Sequence, residues 1–295
     1  MSYEGRSLYI SGSATRQAIH CLAMSANSHR RRRKISTTST SASDKALTSA
    51  PKSTGGNERR NAVSLDMWEA IPRVLEEFSN DGAIRAVVLT GAGDKAFVSG
   101  ADISQFEKQR SSAEQVAHYD EVAEKANAAL KGCDKPVIAM IRGYCIGGGL
   151  NIAALCDLRI AAEDARFGIP AAKMGLGYRA SSMKVLVDLV GKAYTLEIML
   201  TARQFSAAEA KDMGLVHRVV PVAELERATR EYCDMIAANA PLTQRTAKRV
   251  IAEVLKQKYD TAACDGWVQE CFASEDYQEG RRAFMEKRKP VFKGR

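Results

Sequence analysis

The fold is decided by Val137-Ile-Ala-Met-Ile141, Arg142-Gly-Tyr-Cys-Ile146, Gly147-Gly-Gly149 and Leu150-Asn-Ile-Ala-Ala-Leu-Cys-Asp157. The five apolar residues that come after Pro136 predict a short buried strand, and the apolar spacing that resumes at Leu150 predicts a buried helix. The three glycines are therefore expected at a turn that leads from a strand into a helix.

Two interpretations of these glycines stay open. The first N–H groups of a helix have no intrahelical partner and lie at the positive end of the helix dipole, so this turn is suited to bind a negative oxygen. Because glycine has no Cβ, a ligand can approach the backbone closely. Alternatively, the glycines serve only to let the helix pack tightly against the strand.

The rest of the chain alternates between strand and helix signals up to about residue 180, and helix signals dominate afterwards. This order predicts a mainly parallel α/β core with a helical C-terminal part. Strands are predicted at 86–90, 158–161 and 165–167, and residues 96–98 lead into Ser99-Gly-Ala-Asp-Ile103. Helices are predicted at 65–78, 111–131 (with Gly132 as a C′ glycine), 181–200, from a capping box at Ser206 to Gly214, and at 222–238, 241–258, 260–272 and 274–288.

The net charge of +8 is concentrated at one end of the chain. Residues 1–56 carry nine Lys or Arg and two Asp or Glu, including the run Arg30 to Lys34, whereas the remainder is nearly neutral. Such an Arg-rich and Ser/Thr-rich segment is typical of a disordered tail and also of a mitochondrial transit segment. We therefore expect a protein of the cytoplasm, with the mitochondrial matrix as the alternative, and no nucleic-acid site on the folded body.

Several other classes of protein are disfavoured. The longest apolar runs are too short to span a bilayer, so no membrane partner is expected. Seven scattered cysteines without a C-x-x-C pair argue against a zinc site or a disulfide framework. Gly91-Ala-Gly-Asp-Lys-Ala96 matches a dinucleotide pattern only loosely, and the residues after Ala96 do not open a helix, so a turn is expected there.

Further segments carry a resemblance to a known family. They are Asn57-Glu-Arg-Arg-Asn-Ala62, Lys95-Ala-Phe-Val-Ser-Gly-Ala-Asp-Ile103, Gly143-Tyr-Cys-Ile-Gly-Gly-Gly149, Phe167-Gly-Ile-Pro170, Thr201-Ala-Arg-Gln-Phe-Ser206 and Ala283-Phe-Met-Glu-Lys-Arg-Lys-Pro290. In this order, from about Asn57 to the C-terminus, the chain resembles the crotonase superfamily, the enoyl-CoA hydratase/isomerase family. The resemblance implies an α/β fold, a spiral of ββα units over residues 57–235. It also implies a helical oligomerisation region over 236–295, in a homotrimer or a dimer of trimers, while residues 1–56 stay outside as a disordered tail.

The resemblance also implies a site. Members bind acyl-CoA thioesters without a metal or another cofactor, since coenzyme A arrives as part of the substrate. The thioester oxygen would lie between the N–H groups of Ala101 and Gly148, which form an oxyanion hole. Further substrate contacts are implied for Arg60, Ala62, Asp102, Ile103, Gly147, Ala171, Phe284 and Lys287.

Two departures from the family pattern put ordinary water addition in doubt. Where hydratases of the family carry two glutamates, this chain has Asn151 and Ala171. Because hydration needs a general acid and a general base, we expect it to be weak or absent. Tyr178 is a candidate replacement, and Lys173 another.

Three functions stay open at this point. The leading hypothesis is an acyl-CoA thioester enzyme of the hydratase/isomerase type that stabilises an enolate, with isomerisation, decarboxylation and thioester hydrolysis as alternatives to hydration. A non-catalytic acyl-CoA binder is the second hypothesis, and nucleic-acid binding through Arg30 to Lys34 is the third.

Overall fold

The computed structural model describes residues 7–11, 18–25, 60–102 and 112–295. Within these ranges the strands form two sheets. The larger sheet has the order β1 (Ser7–Ser11), β2 (Ala18–Ser25), β3 (Ile84–Gly91), β5 (Val137–Ile141), β7 (Leu158–Ala162) and β10 (Arg218–Val220). The smaller sheet has the order β4 (Ala96–Val98), β6 (Tyr144–Ile146), β8 (Arg166–Gly168) and β9 (Phe205–Ser206).

The chain passes repeatedly from the larger sheet to the smaller sheet and then into a helix. The helices of these turns are α2 (Ala113–Gly132), α3 (Gly148–Leu155) and α4 (Ala180–Thr201), and α1 (Leu65–Asn80) precedes the first turn. Strands β3, β5, β7 and β10 pair in parallel, as do β4, β6 and β8. Successive strand–strand–helix units confirm the predicted α/β spiral.

Helices dominate after α4, as the sequence predicts. They are α5 (Ala207–Asp212), α6 (Leu225–Ala237), α7 (Pro241–Val254), α8 (Thr261–Phe272) and α9 (Glu275–Met285), with short 3₁₀ segments at Pro170–Met174 and Val222–Glu224. The capping box at Ser206 is present, with Glu209 N donating to Ser206 Oγ and Ser206 N donating to Glu209 Oε2. The boundary between residues 235 and 236 stays a prediction.

Strands β3, β5 and β7 of the larger sheet are buried on both faces, which explains their nearly continuous apolar runs. In β3, Val87 and Leu89 join the main core, whereas Ala86 and Val88 join a second core that includes residues of α6. Successive side chains of a strand point to opposite faces, so a strand covered on both sides needs apolar residues throughout. This is why the apolar runs of β3 and β5 are recognisable as strands in the sequence.

In the N-terminal region the prediction of a disordered tail is wrong for two segments, while the rest of residues 1–56 lies outside the described residues. Residues 7–11 and 18–25 are strands rather than part of a disordered tail, and β2 pairs antiparallel with β1 and with β3. Composition averaged over residues 1–56 hides two short stretches that suit strands. The backbone of β3 needs a partner on this side, and β2 supplies it.

Smaller predictions had mixed outcomes. Gly132 is the last residue of α2, with Cys133 as the C-cap in an extended conformation, so its assignment as a left-handed C′ glycine is wrong. Residues 91–96 connect strand β3 to strand β4 without opening a helix, as predicted. The cysteines from Cys133 onward are unpaired thiols, and all of them except Cys271 are buried.

Across the described ranges, none of the helices combines the length and apolar character needed to cross a bilayer.

Candidate active site at the start of helix α3

Helix α3 begins at the glycine triplet, as predicted. Gly147 is its N-cap, with φ 56° and ψ −116°, a conformation that glycine adopts without a Cβ clash. Gly147 N donates to Gly168 O at 2.8 Å, which ties the turn to β8. The first helical hydrogen bond runs from Asn151 N to Gly147 O at 3.1 Å. The N–H groups of Gly148 to Leu150 therefore precede the intrahelical ladder.

The two interpretations of the glycines apply to different residues. A Cβ added to Gly149 would lie 2.2 Å from Val98 O, so Gly149 is required for close packing of α3 on β4. A Cβ added to Gly148 would instead lie 3.7 Å from Trp68 Cζ2 and 3.9 Å from Ala101 N, which are ordinary contact distances. Packing therefore explains Gly149 but not Gly148.

The backbone around Ala101 is fixed by a bridge to Val63. Val63 N donates to Gly100 O at 2.8 Å, and Asp102 N donates to Val63 O at 3.1 Å. In this parallel bridge, Ala101 is the residue whose own N–H and C=O point away from Val63. Since Ala101 N also neighbours Gly148, the bend after β4 and the glycine turn after β6 meet at these two residues.

Sequence reasoning missed the aromatic pair beside this junction. Trp68 and Tyr119 are 4% and 6% exposed, and Trp68 Nε1 donates to Tyr119 Oη at 2.8 Å. Both residues fall on the apolar faces of helices, and no local signal indicates that they pair across 51 positions. Their contact joins α1 to α2 next to Gly148.

Residues 151 and 171 are both buried. Asn151 Nδ2 donates to Asn127 Oδ1 at 3.2 Å, so α2 orients the Asn151 amide. Ala171 lies in the 3₁₀ segment Pro170–Met174 and belongs to the main core. The amide of Asn151 can donate and accept hydrogen bonds but does not ionise. The methyl group of Ala171 can neither form hydrogen bonds nor ionise.

Tyr178 packs against the main core just before α4. Burial raises the pKa of the Tyr178 phenol to about 12. The phenol is therefore protonated at physiological pH and can donate a hydrogen bond, but it cannot act there as a ready base. The adjacent Arg179 forms an ion pair with Asp120, which ties the start of α4 to α2. Lys173 is exposed.

The opposite end of α3 is held by a buried cation. Arg159, on β7, is 3% exposed. Its guanidinium donates to Ala153 O at 3.2 Å, to Cys156 O at 2.6 Å and to Leu215 O at 2.8 Å. Desolvation lowers the pKa of Arg159. A positive group at the carbonyl end of a helix interacts favourably with the negative pole of the helix dipole. Arg159 therefore stabilises α3 at its C-terminal end.

The other predicted contact residues are scattered along the chain. Ala62 and Asp102 are buried beside the Val63 bridge, and the exposed Arg60 places its guanidinium 4.9 Å from the centroid of the Tyr144 ring. Ile103 lies outside the described residues. Phe284, at the end of α9, is 83% exposed, and Lys287 lies beyond it on the surface. The roles of all these residues in binding stay predictions.

In the ranges 60–102 and 112–295, no three His, Cys, Asp or Glu side chains converge as metal ligands would. The expectation of a site without a metal or another cofactor stays a prediction, because it concerns the reaction.

Comparisons with known proteins agree with this architecture. The family model described as enoyl-CoA hydratase/isomerase matches residues 56–295. The short-chain-enoyl-CoA hydratase of Clostridium acetobutylicum is 36% identical over 231 residues, which cover 78% of this chain and 88% of that protein. The peroxisomal Delta(3,5)-Delta(2,4)-dienoyl-CoA isomerase of Arabidopsis thaliana is 35% identical, covering 79% and 88%.

A solved structure gives the same result. The chain is similar to an enoyl-CoA hydratase/carnithine racemase from Magnetospirillum magneticum, with 38% identity, a TM-score of 0.77, and coverage of 82% of this chain and 90% of that one. The match to the family model begins close to Asn57, where the sequence resemblance begins, and continues through α9. This chain therefore belongs to the enoyl-CoA hydratase/isomerase family of enzymes, the crotonase superfamily.

Proposed function

We propose that this chain binds an acyl-CoA thioester and holds the thioester oxygen between the N–H groups of Ala101 and Gly148. The observation that carries the proposal is the meeting of the two bends. A Cβ position on Gly148 is only 3.9 Å from Ala101 N, and both N–H groups lie outside the regular backbone ladders. The site would stabilise the enolate that forms when a proton leaves the carbon next to the thioester.

Fixed donors are well suited to this chemistry. When an enolate forms, negative charge develops on the thioester oxygen, and each preorganised donor aimed at it stabilises the transition state by roughly 3–4 kcal/mol. The dipole of α3 adds to the Gly148 donor, since the positive end of the helix lies there. No metal or redox cofactor is needed for this step, and coenzyme A enters with the substrate.

The predicted contacts to coenzyme A form the next part of the proposal. Arg60, Ala62, Asp102, Ile103 and Gly147 would line the nucleotide and thioester portions of the site. Support comes from their closeness in the chain to the Val63 bridge and to Gly148. Phe284 and Lys287 would reach the CoA or acyl group of the same or a neighbouring subunit.

We further propose a homotrimer or a dimer of trimers. Support comes from apolar side chains left exposed in this single chain, such as Leu200 (75%), Phe284 (83%) and Met285 (80%). Helix α7 is anchored to the sheet by Lys248, whose Nζ lies 2.6 Å from Asp157 Oδ2, while its Ile251 is 58% exposed. Exposed apolar area on this scale is typical of protein–protein interfaces.

The reaction catalysed is the open part of the proposal. Asn151 and Ala171 replace the two glutamates that the family uses for water addition, so standard hydration should be slow. The relatives include enzymes named as a hydratase and as a dienoyl-CoA isomerase. Double-bond isomerisation, decarboxylation and thioester hydrolysis each need an enolate or oxyanion site and fewer or different proton carriers.

Calorimetry and mass spectrometry together test the proposal. The purified chain is titrated with crotonyl-CoA and with CoA, and is then incubated with a panel of acyl-CoAs whose products are analysed by mass. Tighter binding of crotonyl-CoA than of CoA supports the thioester site, and a new product identifies the reaction. Selective binding with no product from any thioester would favour the second candidate, a non-catalytic acyl-CoA binder. Equal binding of crotonyl-CoA and CoA would contradict the thioester site.

A further inference from the structure

The segment from Val63 to Trp68, at the start of α1, lies beside both proposed donors. Val63 hydrogen-bonds on either side of Ala101, through Gly100 O and Asp102 N. Five residues later, the Trp68 ring lies 3.7 Å from where a Cβ of Gly148 would be. Trp68 N donates to Ser64 O at 3.2 Å, within the first turn of α1. The segment Val63–Trp68 is therefore a short and rigid connection between the two halves of the site.

The indole of Trp68 is itself held in place. It is 4% exposed, and its N–H donates to the Tyr119 hydroxyl on α2 at 2.8 Å. A buried N–H without a partner would cost free energy, so this bond favours one orientation of the ring. Two side-chain torsions and one hydrogen bond thus fix where the edge of the ring meets α3.

We propose that Trp68 is a positioning residue for the oxyanion hole, with Tyr119 as its anchor. A Cβ at residue 148 would lie 3.7 Å from Trp68 Cζ2, so the Trp68 ring faces the open side of Gly148. In a close-packed interior, a side chain as large as tryptophan sets the distance between the helices that it lies between, here α1 and α3. Trp68 sets the position of Gly148 N, and Val63 sets the position of Ala101 N. This inference rests on the proposed function, since it assumes that both N–H groups bind one thioester oxygen.

The experiment measures the carbonyl rather than turnover, so it does not depend on which reaction is catalysed. Crotonyl-CoA labelled with ¹³C at the thioester carbonyl is bound to each variant, and the C=O stretch is read by infrared difference spectroscopy. Two donors on one oxygen weaken the C=O bond and lower the frequency of the stretch. Binding of crotonyl-CoA and of CoA is measured in parallel, together with the melting temperature.

The variants are Trp68→Phe and Tyr119→Phe, and the matched control is Trp267→Phe. Trp267 lies on α8, where the Arg249 guanidinium is 5.9 Å from the centroid of the ring. We expect the wild type and Trp267→Phe to show the same lowered frequency. Trp68→Phe should lose part of the frequency shift and bind crotonyl-CoA roughly three- to tenfold more weakly, the size of one hydrogen bond, with CoA binding unchanged. Tyr119→Phe should show a smaller loss in the same direction.

Each outcome decides between explanations. If Trp68→Phe melts at a lower temperature but keeps the full frequency shift, Trp68 only stabilises the fold and the proposal is overturned. If Trp68→Phe does not fold, Tyr119→Phe decides alone, and a full shift in that variant overturns the proposal. If the wild type shows no lowered frequency, the proposed oxyanion hole itself is wrong. This outcome differs from a failure of the Trp68 proposal, in which the wild type shows the lowered frequency and Trp68→Phe keeps it in full.

Discussion

The first turn of α3 contains two regions that differ in how they are specified. At Gly148 the chemistry that we propose lies in the backbone, whose position depends on the packing of Gly149, the Val63 bridge and the bonds of Arg159 to the far end of the helix. Three residues later, at Asn151, a proton transfer would depend on one side chain. A backbone N–H is the same group in any residue except proline, whereas a carboxylate is lost by one substitution. If our proposal is right, the fold can therefore keep a thioester site while the proton transfers around it change.

The largest test of this contrast restores the side chains and leaves the backbone alone. We expect Asn151→Glu combined with Ala171→Glu to raise crotonyl-CoA hydration by roughly 10²–10⁴-fold over the wild type, the usual contribution of general acid–base catalysis. The loss of the enoyl absorbance measures the rate.

A matched double variant, Asn151→Gln with Ala171→Gln, adds similar volume without a titratable group and should give no such gain. If the glutamate pair binds crotonyl-CoA as well as the wild type does but shows no increase in rate, the backbone site is not arranged for hydration. The contrast between a retained backbone site and altered side chains would then be wrong.

The two regions also differ in how well the sequence predicts them. The strand, the glycine turn and the helix at 137–155 arise from local periodicity and turn chemistry, so they were predictable. The partners of that turn lie far along the chain: Tyr119 is 51 residues from Trp68, and Asn127 is 24 residues from Asn151. No local pattern contains such pairings, because only the packing of α1, α2 and α3 creates them.

The second test acts on the far end of α3. We expect Arg159→Met to lower the free energy of unfolding by about 3 kcal/mol, because the carbonyls of Ala153, Cys156 and Leu215 lose a buried donor. Urea denaturation measures the change. The control is Arg166→Met, since Arg166 is exposed on β8 and its replacement should cost less than about 0.5 kcal/mol. Similar stability of the two variants would show that the helix does not depend on this cation.

The third test targets the glycine that the structure assigns to packing. In Gly149→Ala the new Cβ would lie 2.2 Å from Val98 O, so α3 must move away from β4. We expect a loss of about 2 kcal/mol in the free energy of unfolding, within the range for overpacking, and weaker crotonyl-CoA binding as Gly148 moves with the helix. Gly132→Ala is the matched control: nothing lies within 4 Å of its Cβ position, and a helical alanine is slightly favoured over glycine. If Gly149→Ala is as stable as the wild type and binds crotonyl-CoA equally well, close packing of α3 on β4 does not require glycine at position 149.

The smallest expected effect concerns Tyr178, the phenol nearest in sequence to the altered residue 171. Burial raises its pKa to about 12, compared with about 10 for a tyrosine in an unfolded chain. The folded state thus favours the protonated phenol, so the stabilisation is complete below about pH 10 and is lost as the pH rises from about 10 to about 12. In denaturation curves over this range, the wild type should lose stability relative to Tyr178→Phe, which has no proton to release.

The control Tyr259→Phe changes a ring that is 52% exposed and should track the wild-type curve. If the difference in unfolding free energy between the wild type and Tyr178→Phe stays constant across this pH range, the phenol is hydrated rather than buried. A phenol of ordinary pKa, about 10, is also protonated at physiological pH, so Tyr178 would remain a hydrogen-bond donor and the loss of titratable groups at Asn151 and Ala171 would stand.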